Sequence, residues 1–287
     1  MSKISILPCL DSEEMAKKRN QELRISRDLA MELGKLAVTT SKQGWYLNTN
    51  KEKRDISVFV QDSLSQKVSI PPDFPLPFNE QRFDQMTIQV SNETTLQAAK
   101  RLLVTGTNVL ALNFANGVSP GGGFLHGALA QEECLCRSSA LYLSLQDDPM
   151  YKHHAARSQP DSTDWAILSP KVPVFRTDEG TILETPYLLS FLTCAAPYAP
   201  TIGKQKSAEL MNKRIQRVLE ISRAYRYDAL VLGAWGCGAF ANDPFTTAQS
   251  FKNELFGDFA GAFQQVVFAI TDWSPDRRLL GPFRDSF

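Results

Sequence analysis

Nothing in this sequence supplies a disulfide framework. Its five cysteines are odd in number and irregularly spaced, which fits a reducing compartment. Neither sign of charge is in excess: Lys+Arg and Asp+Glu stand at 31 each, which argues against non-specific binding of nucleic acid. Long hydrophobic runs are lacking too. The most apolar long stretch, around residues 229–241, is broken by glycines and falls far short of a membrane span. The N-terminal apolar run, Ile4 to Leu10, contains a proline and leads straight into Asp11, Glu13 and Glu14. It has neither the length nor the small-residue cleavage site of a signal peptide, so a cytoplasmic protein is expected. Metal-ligand spacing is missing as well. Cys134 and Cys136 are two apart on an expected helix and point to different faces, and His153 and His154 fall in an expected loop. No metal, cofactor or internal repeat is expected.

What the sequence does have is glycine in two places. Residues 113–133 read NFANGVSPGGGFLHGALAQEE. Gly121, Gly122 and Gly123 have no side chains to keep a ligand from their backbone. After them Gln131, Glu132 and Glu133 place two carboxylates where an apolar, helix-forming run begins. A bare backbone beside acid groups suggests a bound anion next to a reacting polar bond; a flexible turn before a solvated helix is the plain alternative. Residues 228–244 read DALVLGAWGCGAFANDP, an apolar strand, then Gly236, Cys237, Gly238, Ala239 and Phe240, then a helix start at Pro244 capped by Asn242 or Asp243. Such a loop binds anions through unpaired N–H groups and the helix dipole. Two of them can hold a diphosphate from both sides.

From residue 86 the pattern is α/β. MTIQV, NVLALNFA, segments 172–176 and 187–196, DALVLGAW and QQVVFAI read as strands. ETTLQAAKRLL, residues 130–145, SAELMNKRIQRVLEISRAY and FTTAQSFKNELF read as helices. The alternation implies a mostly parallel or mixed sheet with helices on both faces, and ligand sites beyond the strands' carboxyl ends, where both glycine loops fall. Residues 11–40 read as one amphipathic helix with Met15, Leu23, Leu29, Leu33 and Leu36 on its apolar face and Asp11 and Glu14 as a capping pair. Lys17, Lys18, Arg19, Arg24 and Arg27 read as its solvated face. Residues 41–85 read as irregular, ending in the proline-rich PPDFPLPF. The expected division is an N-terminal helical extension, 1–85, packed on a catalytic core, 86–287.

Glu132 and Glu133 are adjacent, so on a helix their side chains diverge by about 100° and cannot flank one bond. One can donate and accept a proton while the other orients the substrate. The helix N-terminus favours their charged forms; burial and mutual repulsion oppose ionisation and can raise one pKa. Cys237, near a helix N-terminus, has no neighbouring histidine to activate it as a nucleophile.

The Gly triplet followed by Gln-Glu-Glu in GGGFLHGALAQEE closely resembles the signature of the poly(ADP-ribose) glycohydrolases. GAWGCGAFANDP resembles that family's diphosphate loop, and the region around GWYLNTNKEKRDIS resembles the microbial type. The resemblance implies a macrodomain-like three-layer α/β/α sandwich with a mixed sheet, an ADP-ribose or poly(ADP-ribose) substrate, free or on an ADP-ribosylated protein, and metal-free hydrolysis of a ribose–ribose bond. It makes Glu133 the general acid/base and Glu132 the ribose-orienting neighbour. Asn116 becomes a contact to the distal ribose, whereas an isolated Asn-Gly pair reads first as a loop cap. Phe240 becomes the aromatic residue packed on that ribose. An ADP-ribose reader without activity and a hydrolase of mono-ADP-ribosylated substrates are the alternatives. A nicotinamide enzyme fits less well: GCGAFA matches G-x-G-x-x-G/A, but Asp272 comes too late for its acid.

Overall fold

The computed structural model describes residues 2–80 and 82–287. In chain order the strands are β1 (Lys3–Ile6), β2 (Trp45–Leu47), β3 (Lys53–Asp55), β4 (Val68–Ile70), β5 (Gln85–Ser91), β6 (Val109–Ala115), β7 (Ala166–Arg176), β8 (Ile182–Ala195), β9 (Ala229–Leu232) and β10 (Gln265–Ala269). The helices are α1 (Glu13–Leu23), α2 (Arg27–Gln43), α3 (Ser57–Ser65), α4 (Thr95–Leu103), α5 (Gln131–Ser138), α6 (Leu141–Leu145), α7 (Pro149–Ala155), α8 (Ala199–Ile202), α9 (Lys204–Ala224), α10 (Pro244–Phe256) and α11 (Leu280–Ser286), with a 3-10 turn at Phe124–His126.

Eight strands form one mixed sheet in the order β1-β5-β10-β9-β6-β8-β7-β4. The run from β1 to β8 is parallel; β7 and β4 are antiparallel to their neighbours. The central strands are buried on both faces, which is why they read as continuous apolar runs. Alternate residues feed separate cores. Leu110, Leu112, Leu230 and Phe268 pack toward Ile215 and Leu219 of α9 and Phe251 of α10. Val109, Ala111, Val231 and Val267 pack toward Leu96 and Leu102 of α4 and Leu135 of α5. The result is the expected three-layer α/β/α arrangement.

The first 85 residues hold more regular structure than expected. The apolar run after Ser2 contains strand β1, and residues 41–85 contain β2, β3, α3 and β4. Both edge strands of the main sheet, β1 and β4, come from this segment; the tract 71–80 contains no helix or strand. Residues 11–40 form two helices rather than one, because Ser26 turns its side chain to the Leu29 N–H and starts a second helix. Ser12, not Asp11 with Glu14, caps α1; Asp11 instead accepts hydrogen bonds from Arg277 and Asn92. Leu29 and Leu36 are exposed as a consequence. Residues 130–145 also divide, into α5 and α6, because Ser139 bridges to Val174 and the Ala140 N–H donates to Pro173 O. His153 and His154 lie on α7 rather than in a loop, after an Asp148 cap and a proline.

Candidate active site

Strands β6, β9, β10 and β5 end side by side, and a cavity of about 660 Å³ opens over their carboxyl ends. Asn116, Gln131, Glu132, Glu133, Gly236, Gly238, Ala239 and Phe240 all line it. The fold thus brings together residues more than 100 positions apart in sequence.

Helix α5 sets the two carboxylates at the cavity floor, and both are buried. Glu132 is held on both oxygens: Oε1 by Asn113 Nδ2 at 3.3 Å and Oε2 by the Asn116 N–H at 2.7 Å. The Gly121 N–H also points at this group. Burial still pushes its pKa up to about 8, helped by the charge of Glu133 and opposed by these donors. Glu133 is held on one oxygen only, Oε1, by the Gly123 N–H at 3.0 Å. Its other oxygen accepts no hydrogen bond from the described residues.

The Gly triplet therefore faces inward. The Gly122 N–H closes a turn on Ser119 O, and a Cβ at Gly122 would collide with Glu133 Oε1. Gly121 and Gly122 have φ of 70° and 58°. The triplet's N–H groups hold carboxylates and a turn. Asn116 caps its own loop, Oδ1 accepting from the Val118 and Ser119 N–H groups at 2.9 Å each. Gln131 braces the start of α5, with Nε2 donating to Leu112 O and Oε1 accepting from the Phe114 N–H.

The second loop is built differently. The N–H groups of Gly236, Gly238, Ala239 and Phe240 make no hydrogen bond within the chain among the described residues. Asp243 caps α10 at the Thr246 N–H, with Pro244 at the first position. Asn242 is not the cap; it is buried, donating to Pro197 O and Gly236 O and accepting from Ser207. Phe240 is half-buried, edge-on to Tyr198 with ring centroids 5.5 Å apart. Cys237 departs from the expected contact. It is buried away from the cavity, its N–H closes a turn on Ala234 O, and burial pushes its thiol up to about 12. Asp272 spends its carboxylate on Ser274, Leu279 and Leu280, so it has none left for a ribose.

Several supporting residues escaped sequence reasoning. Asn113, fully buried on β6, orients Glu132 and also donates to Thr193; an asparagine inside an apolar strand was the available signal. His154 props the first glycine loop: Nδ1 donates to Gly117 O at 3.0 Å while Nε2 accepts from the Thr163 N–H. Burial pushes its pKa down to about 4, so the ring is neutral. Asp178 closes the wall behind α5, accepting from Thr94 Oγ1 and Cys134 Sγ.

The family model of the microbial-type PARG catalytic domain matches residues 35–177, which include the first glycine loop and both glutamates. Poly(ADP-ribose) glycohydrolase (PARG) from Thermomonospora curvata superposes with a TM-score of 0.86 at 37% identity, over 91% of this chain and 100% of that one. The chain belongs to the microbial-type PARG family. The Thermomonospora enzyme bound to the inhibitor ADP-HPD gives 0.84 at 36% identity over the same shares. PARG from Deinococcus radiodurans in complex with ADP-ribose gives 0.67 at 40%, over 70% of this chain and 84% of that one. No curated protein matches the sequence. Among the described residues no helix is long and apolar enough to cross a membrane.

Proposed function

We infer that the protein hydrolyses the ribose–ribose glycosidic bond of poly(ADP-ribose), with Glu133 as proton donor and then base. The observation that carries the assignment is the unequal hold on the two carboxylates. Glu132 has both oxygens engaged by the protein, whereas Glu133 keeps one for the substrate. Glu133 protonates the leaving ribose oxygen as the bond to the distal ribose breaks. It then takes a proton from the water that attacks the oxocarbenium-like carbon. Glu132 orients the ribose hydroxyls, the loop from Gly236 to Phe240 holds the diphosphate on its unpaired N–H groups, and Phe240 packs on the distal ribose. Incubation with labelled polymer and with mono-ADP-ribosylated protein in parallel, products resolved by size, tests the substrate. Cleavage of the polymer supports this reading; cleavage of the mono-ADP-ribosylated protein alone replaces it, and binding without cleavage makes the protein a reader.

Hydrolysis proceeds from a chain end. Asn20, Leu23, Arg24 and Ile25, at the bend between α1 and α2, form one wall of the cavity, and this supports an enclosed site. Free ADP-ribose is expected first, with long chains persisting. Abundant intermediate-length oligomers at low conversion would show internal cutting.

A further inference from the structure

Arg24 ends α1 and begins the bend into α2. Its sequence context placed it on a solvated face with four other basic residues. In the fold it is exposed, and it is also the only basic residue among the described residues that lines the cavity. The acidic residues lining the cavity are Glu93, Glu132, Glu133 and Asp178. Glu93 is already paired with Arg101 at 2.5 Å. Arg24 makes no ion pair or hydrogen bond through its side chain among the described residues, whereas Arg19 of the same helix is buried against Glu22 at 2.9 Å.

The backbone that carries Arg24 is tied down on both sides. Before it, Glu22 accepts from Gln97 Nε2, the residue that completes the capping box of α4 with Thr94, and Thr94 in turn bonds Asp178 in the cavity wall. After it, Gly127 approaches the Arg27 carbonyl so closely that no Cβ would fit, in the turn that leads to the catalytic helix. Farther back, Asp11 and Glu13 pair with Arg277 at 2.8 and 2.7 Å. A cation without a side-chain partner among the described residues is thus presented from an anchored bend to a cavity whose other ionisable carboxyl groups are Glu93, Glu132, Glu133 and Asp178.

We propose that Arg24 is a specificity-determining residue that pairs its guanidinium with a phosphate of the polymer. The proposal rests on the poly(ADP-ribose) reading of the site. Guanidinium and phosphate match in charge and in bidentate geometry, and the loop at Gly236–Phe240 supplies only neutral donors. The phosphate belongs either to the unit in the cavity or to the adjoining unit, and the experiment separates the two.

Binding of ADP-ribose and of size-fractionated poly(ADP-ribose) is measured on the full chain carrying Glu133→Gln, with and without Arg24→Ala, at low and high salt. Arg24→Ala is expected to weaken polymer binding about tenfold and to flatten its salt dependence, with Arg24→Lys recovering part of the loss. Weakening of both ligands assigns the phosphate to the bound unit; weakening of polymer alone assigns it to the adjoining one. Unchanged affinity and salt dependence for both ligands overturns the proposal. A wild-type protein that binds polymer without cleaving it would overturn the hydrolase reading instead, and the same titrations would still decide Arg24.

Discussion

Gly121–Gly123 and Gly236–Gly238 both follow a central parallel strand, yet their N–H groups meet different partners. In the first loop they are directed at Glu132, Glu133 and a turn carbonyl. In the second, the Gly236 and Gly238 N–H groups have no partner among the described residues beside a capped helix start, nor do those of Ala239 and Phe240. A Cβ at Gly122 would strike Glu133, whereas one at Gly238 would meet nothing within 4 Å. Glycine here serves two purposes: in one loop it lets the backbone grip the protein's own acids, in the other it leaves donors open to an outside anion. Local sequence cannot separate these uses, since both depend on what lies across the gap.

The sharpest way to break the comparison is at the acid itself. Glu133→Gln should lower turnover by about a thousandfold, on the order of 4 kcal/mol in the barrier, because the proton donor is lost. ADP-ribose affinity should stay within about tenfold, since the diphosphate is held elsewhere. Turnover close to wild type would remove Glu133 from the mechanism.

Next in size is the contrast between the loops. Gly122→Val should displace the Glu133 carboxylate and strain a backbone with φ of 58°, so turnover and thermal stability should both fall. Gly238→Val should leave folding intact and raise KM with little change in kcat, because its branched side chain intrudes only where phosphate approaches. Calorimetry with ADP-ribose and melting curves on both variants decide the matter. Identical effects would mean that the loops share one role.

The last comparison concerns Glu132, whose folded pKa of about 8 lies above the ordinary 4.5. Between these values the folded protein keeps a proton that the unfolded chain has released, so stability falls as pH rises through the window and levels off above it. Glu132→Gln cannot ionise. Its Tm relative to wild type should therefore climb from about pH 5 to about pH 8, by at most about 1.4 kcal/mol of stability per pH unit. A difference that does not change with pH would show that Glu132 titrates normally. The buried, unpartnered Asn113 Oδ1 offers the new amide an acceptor once that side chain turns over.

Much of the fold was legible. The apolar runs at β6, β9 and β10 and the period of α9 and α10 are strong local signals, and Asp243-Pro244 marked a helix start that the structure uses. The first 85 residues were harder to read because their strands are three or four residues long and gain stability only by pairing. β1 depends on β5, and β4 on β7, across distances in sequence that no local pattern records. The break at Ser26 was visible only as a serine in a helical run, and that residue type is ordinary in such runs.

The sequence by itself determined the two glycine loops, the adjacent acids at a helix start and the alternation that puts them beyond a sheet's carboxyl edge. These follow from backbone freedom, capping chemistry and side-chain period, which are local. The tertiary structure alone decided which acid keeps a free oxygen, which loop keeps free donors and that the exposed Arg24 stands at the lining of a cavity. Each of these depends on a partner far away in the chain: Asn113 and Asn116 for Glu132, Asn242 with Pro197 for the second loop, Gln97 for the bend before Arg24. Burial and hydrogen-bond pairing exist only once the chain has closed on itself.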